Sequence, residues 1–282
     1  MASDNVKDKG TAKMANSINT NVGAMVALQN LNATNRELTV AQNRVNTGLA
    51  VANAKDNGAI FAVASNMRAD MGALTAVKNS IQRGQAVIDI ALAAGETISK
   101  ALEEQKALAV AIQSSAAGSA SETAYLADFN ALGTEITAAL AGATFDGTNI
   151  YAAGSATNNL VVQTSISGTY TVHGVAAAAT TVATATGTVV RAGATVAAVD
   201  TAGAAFNARL ATLGSHSKSL ERQLTFTSKM QDALESGIGN LVDADLAKES
   251  ARLTALQTKQ QLGVQALGIA NQSSSILLGL FR

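Results

Sequence analysis

The sequence predicts a mainly α-helical protein: long terminal coiled-coil helices plus a helical-bundle domain that carries a small β-hairpin region. Three observations predict it. Proline, which removes a backbone donor and clashes with the preceding turn inside a helix, is absent from all 282 residues. Apolar residues recur at three-four spacing near both ends: Leu28, Leu31, Leu38, Val45 and Leu49 at the start, and Leu246, Leu253 and Leu267 interleaved with Leu256, Gly263, Ala270 and Leu277 at the finish. That spacing is the seam of packed helices. Between them, residues 142–202 shift to Thr, Val, Ala, Gly and Ser, a composition of strands and turns.

Residues 1–13 are polar and charged and read as a tail; Met14 followed by Ala15 is expected as an alternative start. The first helix is predicted from Asn16 to about Asn46, opening on the capping side chain of Asn19 or Asn21 and ending before Gly48, where glycine admits a left-handed cap. At 1.5 Å per residue it is a rod of about 45 Å. Residues 47–60, TGLAVANAKDNGAI, lose the helical pattern and form a connector. A second helix is predicted from Phe61 past Gln113 with Ile81, Ile88, Leu92, Ile98, Leu102, Leu108 and Ile112 inward, and residues 114–121 break it. A third turns Phe129, Leu132, Ile136 and Leu140 inward.

The runs NLVVQTSIS and TYTVHGV read as strands around a turn at Ser167-Gly168, whereas the Ala-Thr run at 175–188 fits either a strand or an exposed loop. Helix is expected again from Gly203. Leu213, Leu220, Thr227, Leu234 and Leu241 make one heptad column, and Leu210, Ser217, Leu224, Gln231 and Ile238 the other. The terminal columns do not continue these in phase, so a joint is expected between Val242 and Asp245. The organisation is then a tail at 1–13, an N-terminal half of a coiled-coil domain with its connector at 14–60, and an N-terminal half of a helical domain at 61–141. A β-hairpin region occupies 142–202, the C-terminal helix of the helical domain 203–242, and the C-terminal half of the coiled-coil domain 243–282.

The last helix holds more apolar residues than one seam uses. Leu262, Ile269 and Ile276 form a further column at seven-residue spacing, largely opposite the seam in the heptad register. A two-stranded coil leaves such a column in water, so a helix from another subunit is expected to cover it. Isolated helices of this length are marginal in water, while each buried leucine stabilises by roughly 1.5 to 3 kcal/mol. The ends are therefore expected to order on packing against neighbours.

Composition excludes several function classes. The formal net charge is zero with 14% charged residues, so no basic track is offered to a nucleic acid. No apolar run reaches the roughly 18 residues of a membrane span, and the N-terminus lacks the apolar core of a secretory signal. The absence of cysteine removes disulfides, thiolate nucleophiles and zinc-thiolate sites. The two histidines, His173 and His216, lie apart from any carboxylate cluster, and no HExxH, GxSxG or phosphate-loop motif occurs. No catalytic residue, cofactor or metal site is expected.

At both ends the residues resemble a known family. SINTN at 17–21, the following ALQNL, the stretch from Arg44 through NAKDNGA to Met67-Arg68, LATLGSHSKSLERQL at 210–224, and the terminal ADLAKESARLTALQTKQQLGVQALGIANQSSSILLGLFR all resemble bacterial flagellin, in the short form of alphaproteobacteria. The resemblance implies an extracellular subunit, exported unfolded through the flagellar type III apparatus and polymerised into a hollow filament for swimming. It implies a homo-polymer with possible sister flagellins, contacts with filament cap and hook-junction proteins, and an export chaperone at the C-terminal helix. The assembly interface would comprise Leu28, Leu31, Leu38 and Val45 with Leu246, Leu253, Leu256, Leu262, Leu267, Ile269, Ile276 and Leu277.

Two departures from the family pattern are the charged tail and Ser273, which stands where members commonly carry proline. A hook-filament junction protein shares the terminal pattern, and a secreted coiled-coil adhesin is the reading from a different class. Exposed Ser and Thr at 155–201 are read equally as O-glycosylation acceptors and as ordinary strand residues. Finally, LEEQKALAVA aligns with the family segment gripped by a vertebrate innate receptor. Leu108 and Lys106 lie in it, but Glu104 replaces an arginine and Ala107 a glutamate. Reversing the charge at that position predicts weak receptor activation.

Overall fold

The computed structural model describes residues 21–151, 159–174 and 189–280, with side chains as far as residue 272. The expected tail, the first residues of SINTN, the Ala-Thr run and the side chains of Ile276 and Leu277 lie outside the described residues. Among the described residues five helices and two small hairpins follow in order: α1 (Val22–Thr47), α2 (Gly58–Ser114), α3 (Ala120–Gly142), β1 (Thr144–Phe145), β2 (Thr148–Asn149), β3 (Leu160–Gln163), β4 (Thr169–Val172), α4 (Val196–Val242) and α5 (Leu246–Leu280). The chain divides into two compact units, residues 1–67 with 236–282 and residues 68–235, so the division falls within α2 and α4.

In the first unit α1 and α5 run antiparallel, since Asn21 near the start of α1 donates to the carbonyl of Ala270 and Arg44 near its end pairs with Glu249. Asn21 caps α1 by accepting from the Ala24 amide, and Gly48 closes it at φ 73°, a left-handed conformation that glycine adopts without a Cβ clash. The connector is pinned to the end of α4: Ala50 N donates to Val242 O, Ala244 N donates to Gly48 O, and Leu49 bridges Asp243. Val51, Ala64, Ile238 and Val242 form a small core there, with Leu49, Ile60, Phe61 and Met67 packed on it. Leu49, expected on the α1 seam, belongs to this cluster instead because Gly48 has already turned the chain. Asn57 caps α2 by accepting from Ile60 N, which starts the helix slightly earlier than its apolar pattern does.

The second unit packs the rest of α2 with α3, most of α4 and the hairpins. Its core includes Ile81, Ile88, Ile98, Ile112, Phe129, Ile136, Leu213 and Leu220. β3 and β4 pair antiparallel from Leu160↔Val172 to Gln163↔Thr169, with Ser167-Gly168 in the turn. The expected start of helix at Gly203 is corrected: α4 begins at Val196, where Thr195 Oγ1 accepts from Ala198 N as a cap. Val199 and Ala202 are buried along this extra length, on the face that Phe206 continues. Small residues there continue the composition of the preceding loop, and only the cap and the buried face mark the helix.

Candidate assembly interface

The seam between α1 and α5 follows the heptad repeat more strictly than the leucines alone. On α1 the residues turned inward are Ala24, Ala27, Leu31, Thr34, Leu38, Ala41 and Val45, with Thr34 and Ala41 fully buried. On α5 they are Glu249, Leu253, Leu256, Gln260, Gly263, Leu267 and Ala270, with Glu249 and Leu256 buried. Both sets alternate spacings of three and four, the a and d positions of a heptad. The small residues let the backbones approach: a Cβ on Gly263 would sit 3.3 Å from Leu31 Cδ1.

Besides Leu49, two further residues expected in the seam lie outside it. Leu28 is 48% exposed, because Ala27 takes the inward position one residue before it. Leu246 is 49% exposed as the first residue of α5, and Glu249 fills the seam one turn later. Leu31, Leu38, Val45, Leu253, Leu256 and Leu267 are at the seam as expected.

Polar side chains fix the register. Arg44 Nη1 lies 3.0 Å from Glu249 Oε1, with Glu249 Oε2 buried and without a partner among the described residues. Gln260 donates to Asn35 Oδ1 at 2.8 Å, and Thr34 Oγ1 donates back to the Asn30 carbonyl. Sequence reading by leucine columns passes over these residues. The signal that finds them is the antiparallel register itself, which sets Asn21 against Ala270, Asn35 against Gln260 and Arg44 against Glu249.

On the outside of α5, Leu262 is 60% and Ile269 70% exposed. Exposed apolar side chains also stud α1, at Val22, Met25, Val26 and Val40. No helix among the described residues is long and apolar enough to cross a membrane.

The remaining candidates separate from one another. Glu104 is exposed on α2; Lys106 reaches across to Asp200 of α4, Nζ to Oδ1 2.6 Å; Leu108 is half-buried against the core. His216 Nδ1 lies 2.6 Å from the Tyr170 hydroxyl, an edge-on ring contact that docks β4 on α4. Burial, and then the charge of His173, lower its pKa from the ordinary histidine value. Among the described residues no group of three or more His, Cys, Asp or Glu side chains is arranged to hold a metal.

Residues 18–157 match the model of the bacterial flagellin N-terminal helical region, and residues 196–281 that of the C-terminal helical region. The chain belongs to the flagellin family. It is 50% identical to flagellin FljK of Caulobacter vibrioides over 95% of this chain and 99% of that one. It is 36% identical to a flagellin of Brucella melitensis and 32% to flagellin C of Rhizobium meliloti, each over 94% of this chain and 99% of the relative. As an alphaproteobacterial flagellin it is a structural subunit of the extracellular flagellar filament, built for self-polymerisation and motility. Several sister flagellins occur in Caulobacter vibrioides alone.

Proposed function

We propose that the α1–α5 pair is the inner-core assembly interface of the filament, with residues 14–60 and 243–282 forming the inner domain and residues 61–141 and 196–242 the helical one. The observation that carries the reading is the α5 column of Leu262 and Ile269, 60% and 70% exposed with the seam satisfied on the other side. Leaving such side chains in water forgoes roughly 1.5 to 3 kcal/mol each. The seam residues Leu31, Leu38, Val45, Leu253, Leu256 and Leu267 hold the pair together, and Ile276 and Leu277 extend the same two patterns in the sequence. The site has no catalytic role, and its partners beyond other flagellins are the filament cap, the hook-junction proteins and an export chaperone on α5.

Substituting Ile269 by Asp tests the reading. Polymerisation induced by seed or salt is expected to be lost, while circular dichroism of the monomer is retained; filaments of normal length viewed by electron microscopy would remove Ile269 from the interface. The segment with Glu104, Lys106 and Leu108 is read as a weakened innate-receptor epitope, because a carboxylate stands where a guanidinium is expected and Lys106 is paired with Asp200. A cell reporter assay is expected to give weak signalling, and full signalling at low dose would overturn this.

A further inference from the structure

The two flanks of the α1–α5 pair differ in shape at the same height. In an antiparallel coil the g positions of the two helices face each other along one flank and the e positions along the other. The g flank is marked by the Glu37–Arg252 ion pair. Along it, at residues 23–34 and 259–270, lies an apolar groove of about 450 Å³. Its floor is Ala27, Leu31 and Gly263, and its rim is Val26, Leu262 and Ala266. The floor is low because alanine and glycine occupy seam positions where leucine would fill the space.

The opposite flank carries bulk. Leu28 and Val264 stand at e positions facing each other across the helices, 48% and 55% exposed, and Met25 beside them is 62% exposed. A ridge therefore lies on one flank and a groove on the other, level with each other.

We propose that successive copies of this chain pack side by side, the Met25–Leu28–Val264 ridge of one seated in the groove of the next. The proposal rests on the reading of the terminal pair as the assembly interface and adds which surface meets which. A projection on one flank and its receptor on the other form a heterologous contact, which repeats through rings or open helices and does not close as a two-fold dimer. A second copy is the occupant because the family self-polymerises, both surfaces are apolar, and both are level on every copy.

The chain has no cysteine, so introduced thiols report single positions. Monomers carrying only Val264→Cys are mixed with monomers carrying only Ala266→Cys, polymerised and treated with a short bis-maleimide. A crosslinked dimer is expected in the mixed filaments and not in filaments of either variant alone. Intact mixed filaments without the dimer, or dimers within one variant, overturn the proposal. The Ala266→Cys thiol is expected to react with maleimide in the monomer and to be protected in the filament; protection already in the monomer means the chain covers its own groove, and overturns it too. Ala266→Trp, which fills the groove from its rim, is expected to lose polymerisation with monomer helicity unchanged. Normal filaments from Ala266→Trp alongside loss in Ile269→Asp sink the groove contact alone, whereas normal filaments from both sink the underlying interface reading as well.

Discussion

Gly95 lies where α2 meets α4 so closely that a Cβ would overlap Leu210 Cδ2 and sit 3.3 Å from the Tyr151 hydroxyl oxygen. Gly72, on the same helix, is exposed and would meet nothing within 4 Å. The same substitution therefore has opposite signs. Gly72→Ala is expected to stabilise by about 0.5 to 1 kcal/mol, the helix-propensity difference between the two residues. Gly95→Ala is expected to destabilise by about 1 to 3 kcal/mol through overpacking, read as paired shifts in the thermal midpoint of the monomer. Tyr151 itself donates to the Ala91 carbonyl from a buried site that pushes its pKa up to about 12. Its ionisation in the unfolded chain near pH 10 then withdraws stability as pH rises above that value.

His216 titrates in the other direction. Its folded pKa is lowered, first by burial and then by His173, so the unfolded chain binds the proton more readily. Stability contributed by the Tyr170–His216 contact is expected to be present above the unfolded value near pH 6.5 and to decline as pH falls through it. The protection factors of the β3 and β4 amides, with the intrinsic pH dependence of exchange divided out, should fall between pH 7 and pH 5. His216→Gln should remove that step, and an unchanged profile would show the hairpin held elsewhere.

At the level of elements, the α1–α5 pair depends on few large side chains. Among the described side chains of α5, Leu256 is the one leucine buried below a tenth of its surface. Leu256→Ala is expected to cost about 2 to 5 kcal/mol and to raise exchange along both helices together. Glu249→Gln leaves Arg44 facing a neutral amide and is expected to cost about 1 to 3 kcal/mol. Replacing both with Met and Leu should recover most of that loss, because a well-packed apolar pair avoids desolvating two charges. Failure to recover would mean that the ion pair sets the register as well as filling the seam. The capping residues Asn21, Asn57 and Thr195 and the left-handed Gly48 explain where the helices begin and end. Asn21 and Gly48 are legible from residue type, whereas Asn57 precedes the apolar pattern of its helix and Thr195 is hidden in a threonine-rich stretch where many residues have the same capability.

For the whole molecule, the helical class, the joint before Leu246 and the residue-by-residue likeness to flagellins were all legible in the chain. Helical periodicity, the lack of proline and the paired terminal motifs are properties of nearest neighbours along the sequence, and they need no partner to be read. The seam was legible only in its leucines. Ala27, Thr34, Ala41 and Glu249 took inward positions at which hydrophobicity gives no signal, and Leu28 and Leu246 were displaced to the surface. Which of two adjacent residues faces inward depends on the azimuth of the partner helix, and that azimuth is set by backbone approach at Gly263 and by the Arg44–Glu249 and Asn35–Gln260 contacts. The sequence by itself thus determined that this protein is a helical subunit made to assemble. Only the tertiary structure decided which flank is ridge and which is groove, because that difference arises from two helices meeting and belongs to neither one alone.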